Sequence, residues 1–194
     1  MQVKLEALLA ELEMFGQLND QAHADRPKRM LNITCDTGEF LSVMIQATRA
    51  KQILEIGTSN GYSTLWLADA AAKMGGMVTT VEYSAYKIEL AANNFDRSGL
   101  IDSIVEKRGD AGAVLESMSA QSVDLLFLDS ERSEYVGWWH NLKRVLKIGG
   151  LLIVDNATSH SEEMAPFMAL VKSDPAFSTS LVPIGNGEFL AVRY

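Results

Sequence analysis

The stretch from Gln52 to Ser63 constrains this chain more than any other. An apolar run, Gln52 to Ile56, stops at Gly57, and a helical pattern starts at Ser63 after a turn that contains Gly61. A short strand, a glycine turn and a helix form the repeating unit of α/β folds built on a parallel sheet. The same beat recurs at Met77 to Val81 ending at Glu82, at Ser103 to Val105 before Gly109, at Val123 to Leu128 ending at Asp129, and at Leu151 to Val154 ending at Asp155. Helical spacing falls between these runs, over Thr37 to Thr48, Ser63 to Lys73, Tyr86 to Ser98, Ala111 to Met118, Tyr135 to Leu146 and Glu162 to Ser173. The expected architecture is therefore an α/β fold with a mostly parallel central sheet and helices on both faces. Ser178 to Pro183 and Glu188 to Arg193, around Gly185-Asn186-Gly187, predict a C-terminal antiparallel strand pair. Gly149 and Gly150 are expected to cap the helix that begins at Tyr135.

A chain of 194 residues fits one core. We expect a single domain over 31–194, preceded over 1–30 by a helical arm and a connector. Leu5, Leu8, Leu9, Leu12 and Phe15 give the arm its apolar stripe, and Asn19 to Lys28, polar and basic, reads as a mobile connector able to close over a site. With 25 acidic and 17 basic residues the net charge is -8, which disfavours non-specific phosphate binding. Cys35 is the only cysteine, excluding an internal disulfide and thiolate metal clusters. No signal-peptide core or membrane span stands out, so the cytoplasm is the expected location.

The candidate chemistry lies at strand ends. Glu55, two residues before Gly57, is unlike a dinucleotide fingerprint and suits a ligand with a cationic end, and Gly57 lets that ligand approach the backbone. Glu82 ends the second strand where a carboxylate can accept ribose hydroxyls. Taken alone, each has a plainer reading, an ordinary glycine turn and a solvated cap. Asp129, Asp155 and Asn156 each follow a buried strand, and two carboxylates with an amide oxygen make a hard oxygen-donor set suited to Mg²⁺. Their plainer reading is as loop-entry caps.

Gly38-Glu39-Phe40-Leu41, the Leu54 to Ser63 loop, Gly109-Asp110-Ala111, Asp129 with Tyr135, Asp155-Asn156 and Pro183-Ile184-Gly185-Asn186-Gly187 occur in one order. In this the chain resembles, from about Leu31 onward, the cation-dependent O-methyltransferases that include the catechol and caffeoyl-CoA enzymes. The resemblance implies a Rossmann-like S-adenosylmethionine-dependent methyltransferase fold, a small hydroxylated acceptor, a divalent cation such as Mg²⁺ and a homodimer. It further implies that Glu55 and Gly57 border the methionine part of the donor, Ser63 binds its carboxylate, Glu82 holds the ribose and Ala111 lies near the adenine. Asp129, Asp155 and Asn156 would hold the metal, with Asp129 beside the donor as well and Asp129 and Arg132 as the catalytic candidates.

Two departures stand out. Arg132 occupies the place of the family's lysine in D-x-x-K-x-x-Y, and a guanidinium is a poor general base, better suited to stabilising an oxyanion or binding an acidic substrate. Ala157 to Glu163 runs straight into the last helix where relatives insert a substrate-covering loop. His160 reads as an exposed loop residue, and at least one of Trp138 and Trp139 as core. The alternatives are methylation of a hydroxylated base in transfer RNA, with Lys28, Arg29, Arg49 and Lys51 as the basic contacts, and a donor-binding module without turnover. A dehydrogenase is disfavoured, because the turn lacks the second glycine that admits a pyrophosphate.

Overall fold

The computed structural model describes residues 3–194. Its centre is a seven-stranded sheet made of β1 (Gln52–Ile56), β2 (Met77–Glu82), β3 (Ile104–Arg108), β4 (Val123–Leu128), β5 (Leu146–Val154), β6 (Phe177–Val182) and β7 (Glu188–Arg193), in the order β3-β2-β1-β4-β5-β7-β6. Strands β1 to β5 pair in parallel, while β7 runs antiparallel to both β5 and β6. The order reverses between β1 and β4, and loops at the carboxyl ends of strands diverge at such a switch point to leave a crevice.

Side-chain alternation along the strands divides the core into two layers. Ile53, Leu125 and Phe127 face the layer formed by α1 (Val3–Ala22), α2 (Cys35–Thr48), α3 (Tyr62–Lys73) and α4 (Ala85–Ser98). Leu54, Ile56, Leu126 and Leu128 face α5 (Ala111–Ser117), α6 (Tyr135–Val145) and α7 (Ser161–Ser173). Strand β4 is apolar on both sides because both sides are covered.

The opening helix begins at Val3 and continues to Ala22; Met1 and Gln2, part of the expected arm, lie outside the described residues. Leu5, Leu8, Leu9 and Leu12 are buried in the same layer as α3, while Phe15 remains exposed. The connector is tied down instead of free. The Asp20 carboxylate accepts the backbone N–H groups of Met30 (2.6 Å) and Leu31 (2.8 Å), and the Asn19 amide donates to the Lys28 carbonyl (2.8 Å).

Gly149 and Gly150 do not cap α6. That helix ends at Val145, and both glycines lie inside β5, where the register against β4 jumps from Val123 opposite Leu146 to Leu125 opposite Leu151. Pairing with Val123 captures the chain in the strand before it reaches the glycines, which then accommodate the bulge, Gly149 at φ +79°.

Candidate functional site

A cavity of about 860 Å³ opens at the switch point, a size suited to a small-molecule ligand. Gly57, Ser63, Glu82, Ala111, Asp129, Arg132, Asp155 and Asn156 all line it, so eight of the nine residues singled out in the sequence meet in one place. Asp20, Arg26 and Arg29 to Ile33 also line it, so the connector forms part of the wall.

Glu55 is the ninth, and it does not reach the cavity. Strand alternation turns it into the same layer as Ile53, where it is fully buried beneath α3. There it accepts the hydroxyls of Ser63 (2.5 Å), Thr64 and Thr80 (2.6 Å). Burial pushes its carboxyl up to about 7, against the pull of those three hydroxyls. Its part is to hold the start of α3, and Ser63 spends its hydroxyl proton inward.

Gly57 is required by its own fold before any ligand arrives. Its φ is +106°, and a Cβ there would collide with the Asp129 carbonyl oxygen. The first turn thus lies directly against the end of β4. Glu82 accepts the N–H groups of Ser59 (2.9 Å), Tyr83 (3.0 Å) and Ser84 (2.9 Å), so it holds the glycine loop and its own turn together while lining the cavity. About one of its four lone-pair positions stays free.

The other half of the cavity gathers acids. The Asn156 amide donates to Asp129 Oδ1 (3.1 Å) and Asp155 Oδ2 (2.9 Å), bridging two carboxylates from the ends of β4 and β5. Asn156 sits at φ +66°, a left-handed conformation that aims its side chain back at both aspartates. Burial first, and then the neighbouring Asp155 and Glu55, raise the Asp129 carboxyl well above the usual carboxylate range, with Arg132 and Lys87 opposing. Burial likewise raises Asp155, offset by its hydrogen bond with Glu188, the Asn156 N–H and the charge of Arg132.

Glu188 was not singled out from the sequence. It is fully buried at the start of β7, and Oε1 accepts the Thr37 hydroxyl (3.1 Å). Burial and Asp155 push its carboxyl up to about 10. Burial and the nearby Asp155 thus favour its protonated form, while its Oε2 is buried with no hydrogen-bond partner. A charged residue beside Gly187, opening an otherwise apolar strand, is the signal that could have revealed it.

Arg132 is 7% exposed in the turn before α6, and its Nε donates to Glu163 (2.7 Å). The Tyr135 phenol oxygen accepts the Ser130 N–H (2.7 Å), fixing the loop that carries Asp129 and Arg132. Trp139 is core, Trp138 lines the cavity, and His160 is half-buried on its wall instead of exposed, with Nδ1 2.9 Å from the Ser159 hydroxyl. Lys87, also not anticipated, lines the cavity near Glu82; burial lowers its pKa, with Glu82 and Asp129 opposing.

Do these residues fit a divalent cation? Two carboxylates within reach of one amide are the oxygen donors a hard cation takes, and a cation would offset the burial that raises both acids and the repulsion that adds to it at Asp129. With the amide turned over, Oδ1 in place of Nδ2 would face them. Among the described residues no cluster of three or more His, Cys, Asp or Glu could hold a metal, so the set depends on the Asn156 oxygen and on water.

An open α/β sheet with a reversed outer strand and this strand-end cavity defines a Rossmann-like methyltransferase fold. The sequence profile of the O-methyltransferase family matches residues 6–194, and the chain belongs to that family. It is 33% identical over 146 residues to a catechol O-methyltransferase of Niastella koreensis, covering 74% of this chain and 65% of that one. A caffeoyl-CoA O-methyltransferase of Petunia hybrida is 27% identical over 193 residues, covering 88% of this chain and 79% of that one. The chain thus spans just under two thirds of the length of the bacterial relative. A Bacillus cereus O-methyltransferase in complex with SAH superposes with a TM-score of 0.81 at 24% identity, over 97% of this chain and 91% of that one.

Proposed function

We propose that the protein transfers a methyl group from S-adenosylmethionine to a hydroxyl of a small catechol-like or otherwise hydroxylated acceptor, with a divalent cation such as Mg²⁺ held by Asp129, Asp155 and Asn156. The observation that carries this reading is the meeting of the Gly57 to Ser63 turn with the Asp129–Asn156–Asp155 group in one cavity. In it, Gly57 borders the methionine part of the donor, Glu82 offers its free lone pair to the ribose, and Ala111 borders the adenine. Ser63 meets the donor's carboxylate through its backbone N–H, since its hydroxyl proton goes to Glu55.

A cation held by Asp129, Asp155 and Asn156 would supply Lewis acidity that favours ionisation of the acceptor hydroxyl, its proton passing to water. The protein's own share is orientation and charge. Asn156 and Glu188 set the directions of the two aspartates, and the Arg132 guanidinium lends positive charge to the acceptor side of the cavity. The acceptor oxygen then attacks the methyl carbon in line as the carbon–sulfur bond breaks and a neutral thioether departs.

We further place the protein in the cytoplasm as a homodimer, with residues 1–30 as an arm on a domain spanning 31–194. Met14 and Leu18, exposed one helical turn apart on α1, support a partner contact, and no described helix is long and apolar enough to cross a membrane. Transfer RNA as acceptor is the weaker reading. Arg49 and Lys51 flank the amino end of β1, opposite the cavity, so the four basic residues do not form one surface around its mouth.

Calorimetric titration with S-adenosylmethionine, followed by catechol turnover with and without Mg²⁺ read as S-adenosylhomocysteine by mass spectrometry, tests the reading. Mg²⁺-dependent product supports it. Donor binding without turnover on any hydroxylated acceptor reduces the protein to a donor-binding module, and absence of donor binding overturns the proposal.

A further inference from the structure

Resting on the reading that this cavity takes a hydroxylated acceptor, we propose that the acceptor also carries a carboxylate, and that the free edge of the Arg132 guanidinium binds it. Arg132 is 7% exposed, yet only its Nε has a protein acceptor, Glu163 at 2.7 Å. Both Nη groups lack one among the described residues, and Arg132 lines the cavity. A guanidinium has five N–H groups in a fixed planar fork, and with Nε engaged the two Nη groups, open to the cavity, are left to donate to a ligand. Asp129 and Asp155 feel its charge but form no hydrogen bond with it.

The edge that remains matters more than the charge. With Nε held by Glu163, the end presenting Nη1 and Nη2 is free, and its two parallel N–H groups match the two oxygens of a carboxylate better than a single oxyanion. A lysine would supply the charge without the fork. Arg26 and His160 add positive potential around Glu163, and Arg29, on the same cavity wall, has a buried Nε with no acceptor. Of the acids nearest in sequence, Glu131 is already paired with Arg26 at 3.7 Å. The acceptor class this assigns is an aromatic acid bearing ring hydroxyls.

The test is calorimetry on protein loaded with S-adenosylhomocysteine, comparing 3,4-dihydroxybenzoate with its uncharged methyl ester. The acid should bind the unmodified protein about tenfold more tightly than the ester, the size expected of a two-pronged charge-assisted contact. Arg132→Met should abolish that preference, Arg132→Lys should keep only part of it, and Glu163→Gln should weaken acid binding more than ester binding. Equal affinities in the unmodified protein, or the same preference in Arg132→Met, overturn the proposal. Should Arg132→Met fail to fold, judged by loss of S-adenosylhomocysteine binding, Arg132→Lys decides, and an undiminished preference there is equally fatal. Benzoate and inorganic phosphate as competitors separate the two anion chemistries: displacement by benzoate supports a carboxylate site, and stronger displacement by phosphate overturns it. Because nothing in this test requires methyl transfer, an inactive protein that still prefers the acid fails the functional reading and keeps the anion site.

Discussion

On the β1 to β3 side of the cavity the protein answers its own carboxylates, and on the β4 to β5 side it does so only in part. Glu55 is surrounded by three hydroxyls and Glu82 by three backbone N–H groups. Across the cavity, Asp129 has only its share of the Asn156 amide, Asp155 adds the Asn156 backbone N–H (2.6 Å) to that share, burial pushes the Glu188 carboxyl up, and Arg132 has two nitrogens without an acceptor. In the first half both carboxylates have protein partners before a ligand arrives, so it suits one invariant ligand. In the second half, repulsion and unpaired donors await charge from outside, so both the cation and the choice of acceptor should be decided there.

The sharpest break is at the seam between the halves. Gly57→Ala places a Cβ against the Asp129 carbonyl at a φ that disfavours side chains, and it should lower folding stability by about 3 kcal/mol or more, read by urea unfolding. A change under about 0.5 kcal/mol would mean that the halves are not locked together there. Next in size, Asp155→Ala should cut catechol turnover about a hundredfold while donor affinity stays within about threefold. It also removes one of two repelling carboxylates, so the variant should be no less thermostable than the parent, as expected where a site trades stability for function. Loss of donor affinity in parallel with turnover would show that the two halves act as one unit. Glu82→Ala should do the reverse, weakening donor binding about tenfold by calorimetry without altering the acid-over-ester preference assigned to Arg132.

The two halves were also unequally legible in the sequence. The glycine turn is contiguous, so Gly57, Ser63 and Glu82 could be placed from strand and helix periods within about thirty residues. Asp129, Asp155 and Asn156 were legible as residues that follow buried strands. Glu188 was not, because only the antiparallel return of β7 beside β5 brings it to Asp155, and strand order is a tertiary fact. Glu55 was misplaced for a local reason. A period of two sets it on the face of Ile53, into the core, whereas its closeness to Gly57 suggested the cavity. Gly149 and Gly150 were read as a cap because glycines after a helix usually are one, and the pairing of Leu146 with Val123 decided otherwise.

The smallest effect tests whether the donor half is as self-contained as its hydrogen bonds indicate. Burial raises the Glu55 carboxyl from an ordinary value of 4.5 to about 7, so the folded protein binds a proton there more tightly than the unfolded chain. Stability from this group is therefore fully present below the unfolded value and is lost as pH rises through about 7. Between about pH 6 and pH 8 the loss should be about 1 kcal/mol, and Glu55→Gln, which cannot ionise, should flatten the unfolding free energy over that window by the same amount. The glutamine keeps one oxygen for these hydroxyls, but its N–H pair forces at least one of Ser63, Thr64 and Thr80 to turn from donor to acceptor, so its stability at low pH should fall while its slope disappears. An unchanged slope in Glu55→Gln would assign the pH dependence to Asp129, Asp155 and Glu188, and the unanswered charge of the molecule would then lie wholly on the acceptor side.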